Sequence, residues 1–288
     1  MGDLEIIVVD DGSTDTSLAI AQDRAEADQR VTVASQPNGG VSSALNKAAG
    51  LARSDLIARL DADDVCEPER LEKQLAFLDT HPEVVCCGSA ISYINEDGKK
   101  LRYRQFPLDN HTIQRRILQR GCYAHSTVIY RRAAFEAVGR YRSNFDSAED
   151  LDLFLRLSEV GEMANLPHRL VQYRLHGNQT TAKPSPEHRL KAFLATASAI
   201  NRRMNKEELL PETGTYVALA IAFIEDWLES QHIPWTRHTA SAMHALSSLM
   251  ESNAYKQLRR RLYRKLLAQG DIYSIIEIYV MQLKTKTA

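Results

Sequence analysis

Two clusters of acid in this sequence each close a short apolar run. Asp10 and Asp11 end the first in "LEIIVVDDGSTDTS", and Asp61, Asp63 and Asp64 end the second in "DLIARLDADD". In open α/β sheets, ligands bind beyond the carboxyl ends of the strands. Carboxylates placed there accept hydrogen bonds from ribose hydroxyls and base N–H groups, or bind a hard divalent cation through oxygen. The Asp61-x-Asp63 spacing puts two carboxylates on one side of a tight turn, which suits a Mg2+ or Mn2+ ion that also holds a diphosphate. The competing reading is structural, because aspartates also cap turns and helices. Two clusters one βαβ unit apart favour a nucleotide–metal site over a pair of caps.

Those acids need strands behind them, and the hydrophobic pattern supplies candidates. Leu4–Val9 is a continuous apolar run, the sign of a strand buried on both faces. Ser17–Ala27 reads as a helix, Val31–Ala34 as a short strand ended by the turn cluster "QPNGG", and Val41–Leu51 as a helix. Leu56–Leu60 is the strand that leads into the second acid cluster. Pro68 opens a helix with Leu71, Leu75 and Leu78 on one face. Val84–Ile94 and Leu101–Phe106 read as paired strands around a turn at Asn95–Gly98. Ser126–Tyr130 reads as a strand and "RRAAFEAVG" as a short helix ended by Gly139, with Arg131 and Arg132 facing solvent. Asp150–Glu159 is an amphipathic helix and Leu170–Arg174 the last strand. After "NQTTAKPSP" the period turns helical, with breaks near Pro211, Pro234 and Gly270. The expectation is an α/β domain over residues 1–184 and a helical region over residues 185–288.

Bulk properties narrow the function classes. The 288 residues carry a formal net charge of −1, so no global field points to nucleic acid or membrane. Four cysteines without a C-x-x-C spacing read as free thiols in a reducing compartment, which places the protein in the cytoplasm. The first residues lack the basic region and apolar stretch of a signal peptide. The longest apolar run, Tyr216–Ile224, is too short to span a bilayer.

The stretches "EIIVVDDGSTDTS", "NGGVSSALNKA", "ARLDADDVCEPERLEKQLAFL", "AEDLDLFLRL" and "YRLHGNQTT", in that order, resemble the successive motifs of family 2 glycosyltransferases. The resemblance covers roughly residues 3–182 and leaves the helical tail outside. It implies the GT-A fold, a Rossmann-like, mostly parallel sheet flanked by helices. It implies that Asp10 and Asp11 contact the uracil–ribose part of a nucleotide sugar. Asn38, Gly39 and Gly40 would form the turn before a helix that shapes the donor pocket; on the residues alone they are equally a plain turn. Arg59 would lie near the donor, in a pocket with Asp61, His125 and Glu149. Asp61 and Asp63 are the implied ligands of Mg2+ or Mn2+, and His176 resembles a histidine that reaches back toward metal and diphosphate. Asp150 is the implied general base, with Ser147 as helix N-cap and a helix dipole that keeps Asp150 ionised.

The implied reaction is an inverting transfer from a nucleotide sugar, UDP-linked, to a hydroxyl of a glycan or lipid-linked acceptor in bacterial surface polysaccharide synthesis. Members of the family carry a further strand, loop and helix ahead of the segment matched by Leu4–Val9. This sequence begins without them, so the sheet is expected to have an open place beside that strand. Two other readings compete. A sugar-nucleotide-binding module without catalysis would keep the acid clusters, and a response-regulator receiver would also pair a strand-end acid couple with a later aspartate. The tail segment "YKQLRRRLYRKLL" has six cations and no acid. As a helix it could rest on the inner face of the plasma membrane, or be a solvated surface. Trp227 and Trp235 read as core residues.

Overall fold

The computed structural model describes residues 4–268 apart from 120, 178, 180–184, 213, 230–236 and 251. In chain order the α/β part runs β1 (Ile6–Asp10), α1 (Ser17–Ala27), β2 (Val31–Ser35), α2 (Val41–Leu51), β3 (Leu56–Ala58), β4 (Val65–Cys66), α3 (Arg70–Thr80) and β5 (Val84–Ile94). It continues through β6 (Lys100–Arg104), α4 (Asn110–Arg116), β7 (Ile129–Arg131), α5 (Arg132–Ala137), α6 (Glu149–Leu157) and β8 (Glu162–Arg174). The tail holds α7 (Pro186–Arg203), α8 (Tyr216–Glu229), α9 (Arg237–Leu249) and α10 (Ser252–Ala268).

The apolar run of β5 makes it the centre of a six-stranded sheet ordered β3-β7-β5-β8-β4, with β6 on the far part of β5. Side chains of β5 enter two different layers. Cys86 packs toward α6 and the tail, whereas Val84 and Cys87 pack toward α3 with Leu78, Leu166 and Leu170. The sheet is mixed. β5 runs parallel to β8 but antiparallel to β6 and β7, and β3–β7 and β4–β8 are antiparallel.

β1 and β2 pair in parallel as a sheet of their own, and β1 pairs with no other described strand. The place beside β1 is therefore open among the described residues. The expected burial of β1 on both faces does not hold for the same reason: Ile6 is 38% exposed and Ile7 to Val9 are only half-buried.

Pattern reading found only the end of β8. Its first half contains Pro167, and between the pairs Ser89–Leu166 and Ala90–Arg169 the residues Pro167 and His168 step out of register. Proline cannot donate to the ladder, so the bulge absorbs it. The segment expected as a strand from Ser126 is a single 3-10 turn over His125–Thr127, with β7 starting at Ile129. Arg131 does not face solvent. It donates to the carbonyls of Val84, Leu78 and His81 and so closes the end of α3. Arg132 does the same for the end of α2 through Ala49, Ala52 and Ser54.

The tail packs on the α/β part instead of standing apart. One apolar cluster contains Leu153 and Leu157 of α6, Phe193 and Leu194 of α7, Phe223 of α8, Met243 of α9 and Leu262 of α10. The expected boundary at residue 184 lies outside the described residues, as do Trp235 and Gly270. Among the described residues no helix is long and apolar enough to cross a membrane.

Candidate active site

The end of β1 delivers Asp10 and Asp11 to two different tasks. Asp10 is buried and accepts from the Ser35 hydroxyl at 3.0 Å and from the Ser13 amide at 3.3 Å, which ties β1 to β2. Asp11 organises the "QPNGG" turn. Its Oδ1 accepts from Gln36 Nε2 at 2.7 Å and Gly39 N at 2.9 Å, and its Oδ2 accepts from Gly40 N at 2.9 Å. These donors, Ser13 for Asp10 and Gln36 for Asp11 foremost, hold both carboxyls below the usual carboxylate range. Asn38 lies over Gly12, where a Cβ would come 2.8 Å from its backbone nitrogen.

Gly40 links this pocket to the next part of the site. It has φ +85°, and a Cβ there would sit 2.3 Å from Asp146 Oδ2. The other oxygen of Asp146 accepts from Ser42 N at the start of α2. On the same helix Asn46 donates to Tyr141 O at 2.9 Å and accepts from Tyr141 N at 3.0 Å. The helix behind the glycine turn thus grips the loop that leads to Asp150 at two points.

Beyond β3 the chain enters the second acid cluster over a buried brace. Arg70, 1% exposed, donates to the carbonyls of Arg59 and Val128 and to Gln74, which in turn donates to Cys87 O and Thr127 O. This fixes the backbone from which Asp61 projects. The Asp61 carboxylate pairs with the Arg59 guanidinium and accepts from the Ser126 hydroxyl at 2.5 Å. Burial works to raise the Asp61 carboxyl, but Arg59 and its other partners keep it below its ordinary value. His125, next in the chain to Ser126, sits 2.7 Å from the Tyr141 hydroxyl. Burial and the nearby Arg59 push its imidazole down to about 3, so it is neutral.

Asp63 takes a different partner, since its Oδ2 lies 3.0 Å from His176 Nε2. Asp64 accepts from Arg174 N at 2.8 Å, and burial lifts its carboxyl to about 6. The structure therefore joins Asp63 with His176 but leaves Asp61 on the Arg59–Ser126 side. No group of three His, Cys, Asp or Glu among the described residues is arranged to hold a metal. A carboxylate and an imidazole, both partly exposed, nevertheless fit a cation that takes its remaining oxygens from a bound diphosphate and water.

Glu149 and Asp150 open α6. Ser147 is not the N-cap. That position is Ala148, without a side-chain bond, and Ser147 has φ +80°. Asp150 Oδ1 accepts from Leu151 N at 2.7 Å. The expected dominance of the helix dipole does not hold, because burial, helped by the charge of Asp61, raises the Asp150 carboxyl. Burial and the neighbouring Asp150 push Glu149 to about 7, and its Oε2 is buried without a partner. Two residues on, fully buried Asp152 pairs with Arg142 and Arg156. Arg142 also reaches Glu208, between α7 and α8, at 2.5 Å.

The family model "Glycosyl transferase family 2" matches residues 1–139. The O-antigen biosynthesis glycosyltransferase WbnJ of Escherichia coli is 33% identical over 183 residues, which are 62% of this chain and 70% of that protein. The chain belongs to glycosyltransferase family 2. The amylovoran biosynthesis glycosyltransferase AmsE of Erwinia amylovora is 37% identical over 174 residues, 59% of this chain. The match spans 64% of AmsE, less than two thirds of its length. The crystal structure of S. aureus TarS 1-349 in complex with UDP-GlcNAc aligns over 96% of this chain and 82% of its own, with a TM-score of 0.60 at 19% identity.

The fold of this family 2 glycosyltransferase is GT-A. That sets the receiver reading aside. Sequence reasoning missed four residues that shape the site: Asn46, Ser126, Tyr141 and Asp146. Ser126 had a local signal, since it follows His125 directly. Asn46 and Asp146 act across about a hundred residues of chain, 95 between Asn46 and Tyr141 and 104 between Ser42 and Asp146, and no local pattern marks such pairs.

Proposed function

We propose that this chain transfers a sugar from a nucleotide donor, UDP-linked, to an acceptor hydroxyl with inversion at the anomeric carbon. The observation that carries the reading is that Asp150 follows a loop pinned to both neighbouring parts of the site: Asp146 accepts from Ser42 N and Tyr141 pairs with Asn46 on α2, while the Tyr141 hydroxyl meets His125 beside the Ser126 that holds Asp61. One carboxylate stays ionised beside its arginine. Burial raises the carboxyl of the other, Asp150, above its ordinary value, as suits a base that takes a proton and later returns it.

In this reading Asp150 accepts the proton of the acceptor hydroxyl. As it does so, the hydroxyl oxygen bonds to the anomeric carbon and the bond from that carbon to the diphosphate breaks. Attack from the face opposite the diphosphate inverts the centre, and no covalent intermediate is needed. Asp10 and Asp11 hold the nucleotide end, Asp11 by shaping the turn at Asn38–Gly40. Arg59, His125 and Glu149 border the sugar. Asp63 and His176 would hold Mg2+ or Mn2+, and such an ion neutralises charge on the departing diphosphate.

The relatives named for amylovoran and O-antigen biosynthesis support a bacterial surface polysaccharide as the product. The transferase domain would occupy residues 1–184 and the helical region residues 185–288. Lys256, Arg260 and Arg264 are exposed one turn apart on α10. They support peripheral contact with an anionic bilayer at the cytoplasmic face, where a lipid-linked acceptor would be met.

The test is nucleoside diphosphate release from a panel of UDP-, GDP- and dTDP-sugars, by the natural chain and by Asp150→Asn. Release from a UDP-sugar is expected, with the variant slower by about 10²–10⁴-fold at unchanged UDP affinity. A loss of less than about tenfold with normal binding would return Asp150 to the role of a helix-start acid.

A further inference from the structure

We infer that Arg174 is a positioning residue: it sets the backbone of the acid turn so that Asp63 meets His176 in the geometry a diphosphate-bound cation requires. The inference rests on the reading of Asp63 and His176 as the cation-holding pair.

The turn Asp61–Asp64 has little of its own to hold it. Its internal bond is Asp64 N to Asp61 O at 3.2 Å, and the strand that follows, β4, is two residues long. Arg174, the last residue of β8, supplies what is missing. Its backbone N donates to Asp64 Oδ1 at 2.8 Å and its Nε donates to Asp63 O at 2.8 Å. Its Nη1 donates to Asn95 O at 3.1 Å and Glu96 O at 2.7 Å, in the turn between β5 and β6. The main chain beside it is fixed as well, because Leu175 N donates to Ile94 O at 2.8 Å. One side chain thus ties the acid turn to the rigid end of the central strand pair.

His176 lies two residues farther along, in the loop after β8. Its ring meets the Asp63 carboxylate there, while the Arg174 fork meets the Asp63 carbonyl. Ring and brace leave one short segment and meet one residue, by its side chain and its main chain respectively. The division of donors demands a planar fork with Nε and Nη1 fixed in direction. A lysine ammonium offers the charge but not this geometry.

The experiment is calorimetry of UDP binding to the full chain in Mn2+ and in EDTA, for the natural protein, Arg174→Lys, Arg174→Gln and His176→Ala, with thermal midpoints measured in parallel. The natural protein and His176→Ala bracket the Mn2+-dependent gain in affinity. Both Arg174 variants are expected to lose about tenfold of that gain, the scale of one hydrogen bond to a charged group, while affinity in EDTA stays within about twofold. A purely structural brace would lower the thermal midpoint and leave the Mn2+-dependent gain intact, and that result overturns the inference. Equal losses in Mn2+ and EDTA also overturn it. If the natural protein shows no Mn2+-dependent gain, the cation reading fails and takes this inference with it. Should the Arg174 variants not fold, an Asn-Gly turn in place of Asn95–Lys99 removes the far anchor of the fork at an exposed site. A partial loss of the gain there supports the inference, and an unchanged gain refutes it.

Discussion

Glu149 offers a direct physical test of the site. Its side chain is buried, its Oε2 has no partner, and Asp150 and Asp146 add negative charge nearby. Together they lift its carboxyl from the ordinary 4.5 to about 7. A displacement of that size disfavours the ionised form by about 3 kcal/mol. The unfolded chain releases this proton near 4.5, whereas the folded chain holds it until about 7. Folding therefore takes up a proton in that window, and stability falls as pH rises through it. Below the window Glu149 is neutral in both states and costs nothing; above it the full cost applies.

Glu149→Gln removes the charge while keeping shape and hydrogen-bonding capacity. Urea unfolding followed by circular dichroism should show the variant more stable by about 1 kcal/mol at pH 5 and about 3 kcal/mol at pH 8. A stability gap that stays constant with pH, or shrinks as pH rises, would refute the reasoning.

Three further outcomes are expected. Gly40→Ala meets both a left-handed φ and Asp146 Oδ2, so it should lose about 1–3 kcal/mol of stability and weaken donor binding, read by thermal melts and nucleotide calorimetry. Asp152→Asn leaves Arg142 and Arg156 without their shared buried carboxylate and should cost about 3–5 kcal/mol in urea unfolding. Replacing Lys256, Arg260 and Arg264 with Gln should abolish sedimentation with phosphatidylserine vesicles at low salt, each cation contributing about 1 kcal/mol, and leave the thermal midpoint unchanged.

The parts of the fold legible in the sequence are those whose signal is local. α1 and α2 occupy the predicted spans, and β5 matches its apolar run, because periodicity and turn residues act within a few positions. β4 is too short to carry a pattern, and Pro167 hides half of β8. The acids of the site were legible as strand-end clusters and by their resemblance to family motifs. Their division of labour was not. That Asp61 turns to Ser126 while Asp63 turns to His176 depends on partners 65 and 113 residues away. That Asp150 is raised and not lowered depends on how deeply α6 is packed, which no window of sequence reports.

The separation of β1 and β2 from the six-stranded sheet has a consequence for how the molecule breathes. The pair shares ladder bonds only with itself among the described strands, and α1 beside it buries no residue. It meets the rest through α2, which packs along β1, and through polar ties such as Glu5 to Arg53 and Asp11 to the amides before α2. A two-stranded unit is marginal without further support. Its amides should therefore open at a lower free energy than those of β5 and β8, as a small cooperative unit of its own. The half of the pocket proposed to meet the base and ribose is then the soft half, and the half that holds the acid turn is the stiff one. A nucleotide laid from Asp10 to Asp63 would act as a strut between them, so that part of its binding energy goes into assembling the cleft it occupies.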